Sequence, residues 1–177
     1  MFTRKRSFAL LTLSLASAWS FAATAADATS FELGSYLNSP GGKQIVARDY
    51  AAAIKSASLA ATYGAGLDPL VGATNLCVAY TATGAFAEAR EACERAVEMA
   101  RREDSFASTR FPSNSATSRA LSNRGVLRAL IGDSAGAASD FRAAVKVTDA
   151  WPAAKRNLAH LETTPAYRVA LAGDTAK

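Results

Sequence analysis

One histidine and two cysteines are all that 177 residues provide of the side chains that most often build metal and redox sites. A structural zinc site takes four ligands and a catalytic one three. His160, Cys77 and Cys93 therefore predict no metal site and no cofactor. No Cys-x-x-Cys-His run is present to attach a haem, and no glycine loop of the phosphate-binding kind. Serine and threonine are plentiful, but a catalytic nucleophile needs a base and an acid that orients it. No such set accompanies His160, so the chain is not expected to be an enzyme, and His160 is expected as a partly exposed helix residue. Runs of β-branched residues are scarce and alanine is abundant, which points to an all-α chain. Long apolar runs are missing too. The stretch from Phe8 to Phe21 falls short of the ~20 residues a spanning helix takes.

That stretch follows Arg4-Lys5-Arg6 and leads to Ala23-Thr24-Ala25. A charged start, a short apolar run and a small-residue site read as a secretory signal over residues 1–25, cleaved after Ala25 or Ala26. The expected location is periplasmic or secreted, with no membrane attachment after cleavage. The whole chain has 20 Lys+Arg and 15 Asp+Glu; loss of Arg4, Lys5 and Arg6 leaves 17 against 15, a net +2. So small an excess argues against nucleic acid or an anionic membrane as partner. The roughly 150 residues that remain suffice for one domain with its own core.

The organising stretch runs from Asp68 to Met99. Asp68 caps a helix and Pro69 suits its first turn. A helical pattern through Val71, Leu76, Val78 and Tyr80 ends at Gly84, and a second continues through Phe86, Ala89, Ala92, Cys93, Ala96 and Val97. Two helices joined by so short a turn run antiparallel. The pattern then repeats. With Leu76 set on Arg124, Asn75 falls on Asn123, Cys77 on Gly125, Gly84 on Gly132, Ala89 on Ala137, Cys93 on Phe141 and Ala96 on Ala144. A third copy starts at Trp151-Pro152, with Asn157-Leu158-Ala159 matching Asn75-Leu76-Cys77. Arg124 and Leu158 are 34 residues apart; Leu76 and Arg124 are 48 apart, which is 34 plus an insertion of 14.

A helix-turn-helix period of 34 resembles the tetratricopeptide repeat family. The matching columns are the Asn-Leu-small triplet, Tyr80, both turn glycines and the small-residue run of the second helices. Arg124 and Arg128 depart from the family's apolar residues, and its large aromatic early in the first helix is missing. The resemblance implies antiparallel hairpins stacked as a short solenoid, with residues 43–165 as the repeat domain. Within it, residues 102–117 are expected as a loop insertion, in which Phe106 and Phe111 either dock back on the hairpin or form a flap. Residues 26–42 read as an irregular N-terminal segment, in which Phe31, Leu33, Tyr36 and Leu37 could form a short helix, and 166–177 as a C-terminal tail. Lys43 to Ala61 reads as helical, with Tyr50, Ala53, Ala57 and Ala60 at the spacing of a second repeat helix or of a plain capping helix.

Cys77 and Cys93 fall at similar heights on the two arms of the first hairpin, so they are expected close together, either as a disulfide or as a buried reduced pair. The resemblance also implies a concave face lined by the first helices that receives a peptide or partner helix. Asn75, Asn123 and Asn157 form one column there, which the resemblance implies is mainly repeat scaffold, although each amide also offers donor and acceptor to a peptide backbone. Val78, Val126, Arg119 and Arg156 are neighbouring positions, and the two arginines could hold a partner's carboxylate. The function so implied is an exported interaction module or scaffold of the cell envelope, for a protein or peptide partner that the sequence does not name. The alternative is a small-ligand carrier or enzyme that uses the groove and the 102–117 loop as a pocket.

Overall fold

The computed structural model describes residues 31–63, 68–106, 115–148, 151–165 and 167. The expected signal peptide, Phe111 and the end of the expected tail lie outside them. Among the described residues there are seven helices and no strand: α1 (Gly42–Val46), α2 (Tyr50–Tyr63), α3 (Pro69–Thr83), α4 (Phe86–Phe106), α5 (Ser115–Leu130), α6 (Ser134–Val147) and α7 (Pro152–Thr163). None of them is long and apolar enough to cross a membrane.

Local chemistry sets the helix ends. The Asp68 carboxylate accepts the Leu70 N–H at 2.9 Å and Pro69 opens α3. Asp133 does the same for α6 through the Gly136 N–H at 2.8 Å. Gly84 and Gly132, at φ 75° and 86°, take the left-handed conformation that lets the chain reverse after α3 and after α5.

Each helix packs on the next, and α1, α3, α5 and α7 also touch in that order, so the odd-numbered helices share one face. Alanines make the close contacts: Ala53, Ala57 and Ala60 of α2, Ala89, Ala96 and Ala100 of α4, and Ala137 and Ala144 of α6 are all fully buried. The α2 alanines are the ones whose spacing the sequence displays. α3 is enclosed by α1, α2, α4 and α5, and ten of its fifteen residues are buried. That explains why it carries no polar stripe.

Three expectations need correction. Lys43 to Ala61 is not one helix: the chain breaks after Val46, and Arg48 adopts a positive φ of 59° before α2 begins. The 102–117 insertion is not wholly loop, because α4 runs on to Phe106 and α5 starts at Ser115. Tyr167, placed in the tail, is buried with Phe141 and Leu161, and its hydroxyl accepts from Arg142 at 2.7 Å. That hydrogen bond raises the Arg142 pKa above its ordinary value.

Candidate functional site

The face shared by α3, α5 and α7 is occupied by the chain's own N-terminal segment. Residues 31–37, which have no helical hydrogen bonds, lie across the three helices as a strap. The three asparagines are its rungs. The Glu32 N–H donates to Asn157 Oδ1 (2.7 Å), and Asn157 Nδ2 donates back to the Glu32 carbonyl (2.8 Å). The Gly34 N–H donates to Asn123 Oδ1 (2.7 Å), and Asn123 Nδ2 to the Gly34 carbonyl (2.9 Å). The Tyr36 N–H donates to Asn75 Oδ1 (2.8 Å). Asn75 Nδ2 lies 3.4 Å from the Tyr36 carbonyl and also donates to the Pro40 carbonyl (3.0 Å) and Ser39 Oγ (2.9 Å).

The spacing of 32, 34 and 36 follows from extended geometry, in which alternate residues turn N–H and C=O to the same edge. Each amide thus satisfies a backbone pair as a neighbouring strand would. All three asparagines are at most 1% exposed, so an empty rung would leave buried polar groups unpaired, at about 1–3 kcal/mol each.

The strap's side chains fall on two sides. Phe31 and Leu33 pack against the cluster that contains Val126, Phe141, Leu161 and Tyr167. The Phe31 ring meets His160 edge-on at 4.7 Å. Glu32, Gly34 and Tyr36 meet the arginines and Trp151. Arg156 pairs with both carboxylate oxygens of Glu32, its Nη2 at 2.6 Å from Oε2, and this pairing holds the Glu32 carboxyl below its ordinary pKa. The Arg119 guanidinium lies 4.0 Å from the Tyr36 ring centroid and 4.5 Å from that of Trp151. Gly34 is in such close contact that a Cβ there would stand 2.2 Å from Trp151 Cζ2. An open cavity of about 610 Å³ lies beside the strap, bounded by residues 33–39, Val71, Arg119 and Trp151.

The structure thus brings together Asn75, Asn123, Asn157, Arg119 and Arg156 on one face. Val78 and Val126, at 2% and 1% exposure, are closed off as core. The two arginines are not a free pair awaiting one acid: Arg156 is engaged by Glu32, and Arg119 is stacked on two rings.

Cys77 and Cys93 form a disulfide, with Cα atoms 4.7 Å apart, both fully buried. The departures at Arg124 and Arg128 also find their partner. Arg124 grips Asp140 through Nε (2.8 Å) and Nη2 (2.7 Å) and reaches Glu94 at 2.6 Å. Arg128 adds a 3.1 Å contact to Asp140. The hydrogen bond to Asp140 raises the Arg124 pKa above its ordinary value. Asp140 and Glu94 went unremarked in the sequence. An acid spaced 16 residues from Arg124, on the facing helix of the hairpin, was the available signal.

The string Gly132-Asp133-Ser134-Ala135-Gly136 has the G-x-S-x-G spacing of a nucleophile elbow. It runs from the α5–α6 turn into the start of α6, where Ser134 opens a helix after a helix, whereas the elbow is a strand-to-helix turn. Among the described residues no group of three or more His, Cys, Asp or Glu side chains could hold a metal ion. Comparison with protein-family models, curated proteins and solved structures gave no match.

Proposed function

We propose that the protein is an exported interaction module of tetratricopeptide-like build whose α3/α5/α7 face receives an extended segment through the asparagine ladder. The observation that supports this reading is the paired hydrogen bonding of Asn75, Asn123 and Asn157 to alternate residues of one extended segment. A ladder that recognises backbone is indifferent to most side chains, so it suits a segment supplied by a protein partner. The chain's own residues 31–37 act as resident ligand, and a partner segment binds by taking their place. The Cys77–Cys93 bond suits an oxidising location, either periplasm or exterior.

The test is binding of a labelled peptide covering residues 31–37 to a mature chain in which those residues are replaced by a Gly/Ser linker. Saturable binding that Asn123→Ala abolishes is the expected result. Absence of binding to the folded protein contradicts the reading.

A further inference from the structure

The ladder alone would hold any extended segment, yet three contacts beside it distinguish one segment from another. At the Asn157 rung Arg156 forms a two-point pair with a carboxylate, and both partners are largely solvent-exposed. At the Asn123 rung Trp151 stands where a Cβ would go, and its ring is braced against Arg119 at 4.5 Å. At the Asn75 rung Arg119 offers its guanidinium face to a ring at 4.0 Å. Residues 32, 34 and 36 of an extended chain point their side chains to one side, so the three contacts are read in register with the three rungs.

We propose that this face selects a partner protein's extended segment with a carboxylate at the Asn157 rung, glycine at the Asn123 rung and an aromatic ring at the Asn75 rung, and that residues 31–37 compete for the place in cis. The inference rests on the ladder reading above and adds the partner's chemistry. Charge complementarity favours the acid, because a lysine or arginine at that place would face Arg156. Steric exclusion selects glycine, since any larger residue displaces Trp151 or leaves the rung. Cation–π attraction favours the ring.

The strap joins α1 through residues 38–41 only, so its effective concentration at the ladder is in the millimolar range typical of short tethers. A partner present at micromolar concentration is therefore held off until the strap loosens.

The test uses the full mature chain and a labelled peptide spanning residues 30–38. Two chain variants loosen the strap by different means. Gly34→Ala sets a methyl against Trp151. Glu32→Arg places like charge against Arg156 at the exposed end and keeps Gly34. The Gly34→Ala chain should bind the peptide at least about tenfold more tightly than wild type. The Glu32→Arg chain should bind about two- to fivefold more tightly, less so at high salt. On either chain, a peptide with Gly34→Ala should lose about tenfold or more, and one with Glu32→Gln about two- to fivefold.

If circular dichroism shows Gly34→Ala unfolded, the Glu32→Arg chain carries the test. Equal binding to wild type and to the loosened chains overturns competition in cis. Equal binding of the peptide, its Gly34→Ala form and a scrambled peptide, all abolished by Asn123→Ala in the chain, overturns selectivity and leaves the ladder reading intact. Binding that survives Asn123→Ala, or no binding to any chain, overturns both.

Discussion

The two hairpins α3/α4 and α5/α6 solve one packing problem by different chemistry. At the height where α3 and α4 are tied by Cys77–Cys93, α5 and α6 bring Gly125 against the Phe141 ring. A Cβ at Gly125 would stand 2.5 Å from Phe141 Cε1, so the glycine makes room for the ring. One hairpin is held by a covalent link that constrains its unfolded ensemble, and the other by a fully buried aromatic residue in the folded one. One row further, Leu76 packs with Ala89, Cys93 and Leu127, while its counterpart Arg124 is bound to Asp140 and Glu94. The first hairpin therefore depends on redox conditions, and the second on steric fit and a mostly buried ion pair.

That contrast can be broken from either side. The largest loss is expected from Phe141→Ala, about 3–5 kcal/mol by denaturant unfolding, because the ring is fully buried and also supports Phe31 of the strap. Removing the disulfide with Cys77→Ala and Cys93→Ala should cost about 3 kcal/mol, the chain-entropy value for a 16-residue separation. Thiol labelling of the denatured, unreduced protein should find no free thiol; two per chain would remove the covalent half of the contrast. Asp140→Asn should cost about 2 kcal/mol, within the range for a lost charged hydrogen bond, since among the described residues it leaves Arg124 the half-exposed Glu94 as its charged partner. A loss as large in a chain that already carries Arg124→Leu would show that the acid acts otherwise, and a double-mutant cycle separates the two.

The smallest effect concerns the strap. Glu32 has its pKa lowered in the folded chain, so its contribution is present above the ordinary value of 4.5 and is lost as pH falls through the lower folded value. The pair is exposed, so the gain is modest and screened by salt. Acidification through the lowered Glu32 pKa should loosen residues 31–37 before the helices melt, seen as faster proteolytic cutting there. Glu32→Gln should remove that pH dependence.

How much of this was legible follows from the range of each interaction. Asp68-Pro69, Gly84 and Gly132 act within a few residues, so the helix ends could be read directly. The cysteines were placed at one height by the hairpin turn, which left a disulfide and a buried reduced pair both open; the structure has the disulfide. The asparagine column was visible at the repeat spacing, with 34 residues from Asn123 to Asn157 and 34 plus the insertion from Asn75 to Asn123, but a scaffold role looked stronger there than backbone recognition. Its occupant was not. Residues 31–37 pair with side chains 39, 89 and 125 positions away, and no local pattern records such contacts. Phe31, Leu33, Tyr36 and Leu37 suggested a short helix, whereas the segment is extended with protein on both sides, so its apolar positions follow the strap's contacts and not a helical stripe. Arg124 and Arg128 stood out only as breaks in an apolar column, because the acid that explains them is on the other arm of the hairpin.

The central claim is that the asparagine face holds an extended backbone by alternate residues. Amide hydrogen exchange of the folded protein, resolved residue by residue, tests it directly. Glu32, Gly34 and Tyr36 donate their N–H groups to buried asparagine oxygens, so they should exchange far more slowly than Leu33 and Ser35. Asn123→Ala should remove the protection at Gly34 first. Uniformly fast exchange from 32 to 36 in a chain whose helices remain protected would contradict the account.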